Sequence, residues 1–191
     1  MRNSEFGQTE SVSALAGSLL LAHPELKDPN FNKSVVLISA HSTDDGALGV
    51  ILNRPMGQSL AQFDGKFSYT DLADVPLYVG GPASPDQMIL TAWQWHLEQG
   101  RFQLHFGINP DKARELISHD PEIELRGFVG YSGWSQGQLE GELEQDSWVV
   151  TPVSSDALED VQGDDLWRTI IREVSPEMRF LADAPDDPSV N

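Results

Sequence analysis

Hydrophobic positions in this chain fall into short runs. Residues 18–22, 34–40 and 48–52 are each rich in Val, Ile or Leu and are bounded by polar or Gly-containing stretches, the pattern of β-strands. Between the last two runs stands His41-Ser42-Thr43-Asp44-Asp45-Gly46, whose Asp-Gly step supplies a residue tolerant of positive φ, so the two strands are expected to form a hairpin. The run Val35-Val36-Leu37-Ile38 lacks polar alternation, which predicts a strand covered on both faces. Further strands are predicted over 76–80, 88–93, 102–106 and 123–130, while 56–74 reads as a loop with a short helix at 59–63.

Helices are fewer and better punctuated. Asn109-Pro110-Asp111 places an N-cap before a Pro at the first helical position and an acid in the first turn. Ala113, Leu116 and Ile117 then share a face, and the helix should end near His119. Ser135-Gln136-Gly137-Gln138 has the form of a capping box, with Leu139 and Leu143 as a narrow apolar stripe behind it. A third helix is expected over 164–173, burying Leu166, Trp167, Ile170 and Ile171. Residues 1–13 read as a flexible tail, 14–181 as one domain, and 182–191, acidic and holding Pro185 and Pro188, as an extended tail. Strands and helices mix without a steady βαβα rhythm, so the expected fold is α+β: a curved, mostly antiparallel sheet surrounded by helices.

Composition narrows the function. With 191 residues, 39% apolar, the chain can fill a core, and no apolar stretch approaches the roughly 20 residues of a spanning helix. Twelve Lys and Arg against 30 Asp and Glu give −18, so direct nucleic-acid binding, which cations supply, is not expected. The closest basic pairs, Lys112 with Arg114 and Arg168 with Arg172, sit on predicted helices beside acids. Zero Cys removes disulfides, thiolate metal sites and Cys nucleophiles together. Near the start, Glu5 and Glu10 spoil the positive region of a secretory signal, so a cytoplasmic location is expected.

Motifs of known chemistry are nearly, but not fully, present. Gly130-Tyr131-Ser132-Gly133-Trp134 has Trp134 where a nucleophile elbow needs Gly. The His residues at 23, 41, 96, 105 and 119 include no pair at the four-residue helical spacing of a metal site. Asp44-Asp45-Gly46 lacks the alternating acids of a calcium loop, and Gly80-Gly81-Pro82 lacks the remainder of any nucleotide fingerprint. No catalytic set, metal or cofactor is expected on these grounds.

Three local constellations remain: Leu52-Asn53-Arg54-Pro55, Gly80-Gly81-Pro82, and the stretch from Gly130-Tyr131-Ser132-Gly133-Trp134 to Glu140. In this order, with Pro24, Asp28, Phe31, Ser34 to Ile38 and His41 ahead of them, the sequence resembles the AlgH/YqgE family of bacterial proteins from about Gly17 to Asn191. The resemblance implies an α+β fold with a curved, partly barrel-like sheet and a cytoplasmic bacterial protein. It also brings an old label of transcriptional regulator, but no established enzymatic activity and no catalytic residue to carry over.

Read by their chemistry, Asn53, Arg54, Gly80, Gly81, Trp134 and Gln138 are the candidate ligand-binding residues. Pro55 biases Arg54 to an extended backbone behind a guanidinium that can hold a carboxylate or phosphate. The Gly80-Gly81 turn and the free N–H groups ahead of Gln138 would favour the same small anion if they faced it. The contrary reading has Asn53 and Arg54 bonded to the chain's own groups and Trp134 pinning a helix to the sheet. Two functions follow. The favoured one is a non-enzymatic binding or regulatory module acting through a protein partner, basic if charge drives it, or a small anionic ligand. The alternative is a hydrolase or transferase in which Arg54 orients an anionic substrate and His41 or Glu140 is the acid/base. An open convergence of the candidates favours a site; burial favours packing.

Overall fold

The structure, a computed structural model, describes residues 15–155 and 162–184. Nine strands form one mixed, curved sheet that does not close: β1 (Ser18–Ala22), β2 (Val35–Ser42), β3 (Gly46–Ile51), β4 (Pro55–Ser59), β5 (Pro76–Val79), β6 (Ala83–His96), β7 (Arg101–Ile108), β8 (Glu124–Trp134) and β9 (Trp148–Pro152). The order is β4-β5-β8-β3-β2-β1-β9, with β6 pairing both β8 and β7. Only β5 and β8 pair in parallel among the described strands. The α+β, mostly antiparallel reading therefore holds, and the barrel-like character is confined to curvature.

β8 joins two halves. Its last three residues pair with β3, Ser132 opposite Gly49 and Trp134 opposite Ala47. Its earlier residues pair with β5 and β6, Gly127 lying opposite both Leu77 and Leu90. The predicted β2–β3 hairpin forms, with a register shift between Ile38 and Ala40. The unalternating run in β2 is explained by cover on both sides: Val35 and Leu37 enter one apolar cluster, Val36 and Ile38 another.

Helices fill the two faces. α4 (Gly163–Val174) lies in the central cluster through Leu166, Trp167, Ile170 and Ile171, which pack with Leu19, Leu37, Tyr78 and Phe128. Each such fully buried side chain contributes about 1.5–3 kcal/mol, and the Trp167 indole also donates to the Ala22 carbonyl at 2.8 Å. On the opposite face, α3 (Gln138–Glu144) packs Leu139 among Trp134, Trp148, Val36 and Ile38. α1 (Leu60–Phe63) and α2 (Pro110–His119) cover the outer side of the β5–β6–β8 half, where Leu60, Leu77, Leu90, Ala113 and Leu125 cluster. Asn109 caps α2 as its sequence predicts, accepting from Lys112 N–H at 2.8 Å.

Several elements differ from expectation. β4, Pro-Met-Gly-Gln-Ser, has no strand pattern of its own and is extended because β5 pairs with it. β9 was not anticipated, nor was the length of β6, whose first residues Ala83 to Gln87 are mostly polar. α3 starts later than the capping box implies, because Gly137, at φ 72°, breaks the turn ahead of Gln138. The Gln138 side chain accepts from Ser135 N–H at 3.0 Å as expected. The Ser135 hydroxyl, instead of accepting from the helix, donates to the same oxygen at 3.2 Å. At the far end, α5 (Arg179–Ala182) buries Ala182 in the central cluster, and Asp183 pairs with Arg172, so folded structure continues into the segment read as an extended tail. The tail over 1–13 and the residues beyond 184 lie outside the described residues. Among those described, no helix is long and apolar enough to cross a membrane.

Candidate functional site

Asn53 follows β3 where the chain leaves the sheet, and it is only 2% exposed. Its carbonyl oxygen accepts from Val35 N–H at 2.9 Å, and its amide donates to the carbonyls of Lys33 at 2.9 Å and Gly163 at 2.8 Å. One side chain thus ties together the start of β2, the end of β3 and the start of α4. Arg54, half-buried, also bonds to backbone: Nη1 donates to the Asn30 carbonyl at 2.6 Å and Nη2 to that of Asn32 at 3.2 Å. Burial lowers its pKa from the usual guanidinium value, while the carboxylates of Asp164 and Asp28 act in the opposite sense. Its backbone carbonyl accepts from Val79 N–H at 2.9 Å, fixing β5 beside it.

Gly80 and Gly81 mark a backbone crossing. A Cβ on Gly80 would lie 2.3 Å from the Gly130 carbonyl oxygen, and one on Gly81 would lie 2.3 Å from the Tyr131 carbonyl. Only glycine lets the β5–β6 link pass this close to β8. The Gly80 N–H donates to Val129 at 2.8 Å, so it is not free for an anion. Its carbonyl accepts from Ile51 N–H at 2.9 Å and from the Ser132 hydroxyl at 3.1 Å. Ser132 itself is fully buried.

Trp134 and Gln138 belong to a different cluster. The Trp134 indole stacks near Phe31, with centroids 6.0 Å apart, and meets Trp148 edge-on at 5.9 Å. Glu142 joins them: its Oε2 accepts from Trp134 Nε1 at 2.9 Å and Trp148 Nε1 at 2.7 Å, and its Oε1 from Gln138 Nε2 at 2.9 Å. Next to this, His41 Nε2 lies 2.8 Å from Glu140 Oε1, and Leu15 N–H donates to His41 Nδ1 at 3.3 Å. A ring that accepts at Nδ1 carries its proton on Nε2, so Nε2 donates to Glu140. The Glu140 carboxyl is held below its usual range by its own backbone N–H and then by His41.

The candidates are spread along β2: Asn53 and Arg54 adjoin its Val35 end, Trp134, Gln138, His41 and Glu140 gather at its Ser42 end, and Gly80 and Gly81 lie between them against Val129 to Ser132 of β8. Seven residue steps along a strand separate the two ends of β2 by about 23 Å. The geometry does not bring Arg54 to Gln138, or to His41. A depression of about 250 Å³ adjoins Pro55 and is lined by Ser59, Asp74, Tyr78 and Gln162, but the Arg54 side chain does not line it.

Two residues that matter here were not singled out in the sequence. Glu142 was legible as an i, i+4 partner of Gln138, though not as an acceptor for two indoles. Arg126, 7% exposed, lies between the rings of Tyr78 and Trp93 at 4.7 and 4.8 Å and pairs with Glu124 at 2.7 Å. The only signal was a two-residue spacing that puts both side chains on one face of β8.

With this architecture in view, comparison with known proteins is direct. The family model described as AlgH-like, DUF179, matches residues 19–179. The chain belongs to that family. A UPF0301 protein of Streptomyces avermitilis is 36% identical over 199 residues, covering 97% of this chain and 99% of the other; a second, from Streptomyces coelicolor, is also 36% identical with the same coverage. Among solved structures, protein DIP2367 from Corynebacterium diphtheriae is similar with a TM-score of 0.68 at 22% identity, covering 96% of this chain and 95% of that one. The solution structure of AlgH from Pseudomonas aeruginosa gives 0.63 at 21%, covering 98% and 100%. These two likenesses concern the fold. Family and α+β architecture thus agree with the resemblance drawn from the motifs, and the names of these relatives assign no reaction.

Proposed function

We propose that this AlgH-like protein is a non-enzymatic binding module that docks a basic protein partner on its carboxylate-rich surface, and that any regulatory action does not go through direct DNA contact. The observation that carries this reading is that the side chains best suited to chemistry are engaged by groups of the chain itself. Asn53 makes three hydrogen bonds to backbone, Arg54 two, His41 has a partner at each nitrogen, and Ser132 is sealed against Gly80. Cations are consumed as well: Lys112 pairs with Glu115, Arg114 with Asp111, Arg168 with Asp165 and Arg172 with Asp183. An excess of 30 acids over 12 basic residues leaves a surface that attracts a basic partner.

The test is co-purification of the intact protein across a salt series. A charge-driven partner is basic and is released as salt rises from about 50 to 500 mM, because screening shortens the reach of surface charges. Retention that is indifferent to salt would replace the proposal with an apolar interface. The alternative, a hydrolase or transferase acting on a small anion, has one observation in its favour, the His41–Glu140 hydrogen bond of 2.8 Å. Against it, the His41 side chain is fully buried. Turnover of generic esters or phosphates that vanishes in folded His41→Ala protein would establish that alternative instead.

A further inference from the structure

Three strands hydrogen-bond a single neighbour among the described residues: β4, β7 and β9. Exposed edges invite pairing with another chain, and proteins blunt them with short length, Pro, charge or bulges. β4 has five residues, begins with Pro55 and carries Gly57 at φ 68°. β9 has five residues and ends in Pro152. β7 has eight residues, Arg-Phe-Gln-Leu-His-Phe-Gly-Ile, with no Pro and no carboxylate. Phe102, Leu104 and Phe106 share one face, half-buried against the central cluster, and Trp95 stands beside them with its ring 5.7 Å from that of Phe102. Gln103 and His105 share the other face, hydrogen-bonded to each other at 3.0 Å.

We infer that β7 is the seam at which two copies of this chain pair, antiparallel about Leu104, so that one sheet runs through a two-fold dimer. Side-chain parity restricts the register, since a one-residue slip would set the apolar face of one strand against the polar face of the other. Centring the pair on Gln103 would put Arg101 opposite His105, and centring it on His105 would set two imidazoles against each other. Centring it on Leu104 places Phe102 against Phe106 twice, Leu104 against itself and Gln103 against His105, pairs of the kind that stabilise sheets. Arg101 then falls opposite Gly107, the bulged residue at φ 66° that β6 skips between its pairs to Phe106 and Ile108.

Charge disfavours a basic strand here and permits a second copy. Arg101 is the one fixed charge of β7, so a basic partner strand would be repelled there. Two copies, each bearing −18, can approach closely only where the carboxylates are missing, as they are along this strand.

The chain contains no Cys, so a single introduced thiol reports the seam alone. Light scattering on the full chain at high concentration should give twice the 21.1 kDa chain mass. Under mild oxidation Leu104→Cys should form a disulfide-linked dimer. Phe102→Cys should not, because the two thiols would stand about 13 Å apart along the strand direction. Leu104→Lys puts two ammonium groups on the two-fold axis and should halve the measured mass. A monomeric wild type, cross-linking at Phe102→Cys as ready as at Leu104→Cys, or a Leu104→Lys protein that is folded and still dimeric overturns the inference. Should Leu104→Lys fail to fold, the pair of Cys variants decides on its own.

Discussion

Asn53 and Gln103 are both amides next to a strand's polar positions, and their surroundings could hardly differ more. Asn53 is sealed and bonded to three backbone groups that belong to β2, to the segment before it and to α4. Gln103 is half-exposed and bonded to two other side chains, His96 at 3.1 Å and His105 at 3.0 Å. The half of the molecule built on β1, β2 and β3 consumes its polar side chains to hold the chain path. The β6–β7 wing arranges its own on a surface beside an open edge. The lesson is that the most distinctive motifs of this protein, around Asn53-Arg54, Gly80-Gly81 and Trp134, lie on or against β3 and β8 and are bonded within the fold, whereas the β7 edge carries no motif at all.

Glycine substitution should break this contrast most sharply. Gly80→Ala drives a Cβ to 2.3 Å from the Gly130 carbonyl oxygen and is expected to cost about 4 kcal/mol or to abolish soluble expression. Gly107→Ala in the wing meets nothing within 4 Å and should cost only about 1 kcal/mol, for its φ of 66°. Equal losses in the two melting curves would erase the distinction. Next in size, Asn53→Ala leaves Val35 N–H and two carbonyls without their partner and should cost about 3 kcal/mol in urea denaturation, against less than about 0.5 kcal/mol for Gln103→Ala.

Smaller effects sharpen the picture around α3. Glu142→Gln keeps the shape but removes the charge that two indoles share, and a loss of about 1 kcal/mol is expected, with a change in Trp fluorescence as the second readout. The smallest effect is one of pH. Because its own N–H and His41 depress the Glu140 pKa, this residue contributes stability that is present above the unfolded-state value of about 4.3 and disappears as pH falls through the lower folded-state value. The stability difference between wild type and Glu140→Gln should therefore shrink on acidification from pH 6 to below about 4; a gap that widens instead would mean that the carboxyl is not the favoured form in the folded state.

Much of the fold was legible because it depends on local pattern. The β2–β3 hairpin follows from Asp45-Gly46 between two apolar runs, α2 from Asn109-Pro110, and α4 from apolar positions that recur on one face. β4 was illegible because its five residues have neither alternation nor β-branched side chains; it is extended only by pairing with β5. The start of α3 was misplaced because Gly137 could be read either as a box position or as a left-handed break, and the folded chain takes the second. Of the candidate site, residue identities were readable but their separation was not: Arg54 and Gln138 stand at opposite ends of β2, a distance that no spacing in the sequence encodes.

By itself, the sequence determined the β2–β3 hairpin, helices α2 and α4, the acidic composition and the family, since these depend on periodicity, composition and short-range order, all of which are written along the chain. Only the tertiary structure decided which groups Asn53, Arg54, Gly80 and Trp134 bond. A side chain's partners depend on which groups the fold brings to it, and here backbone carbonyls, N–H groups and the Glu142 carboxylate are brought to these residues. The unguarded edge of β7 was likewise a matter of topology, because a strand is an edge only once the remaining strands have taken their places.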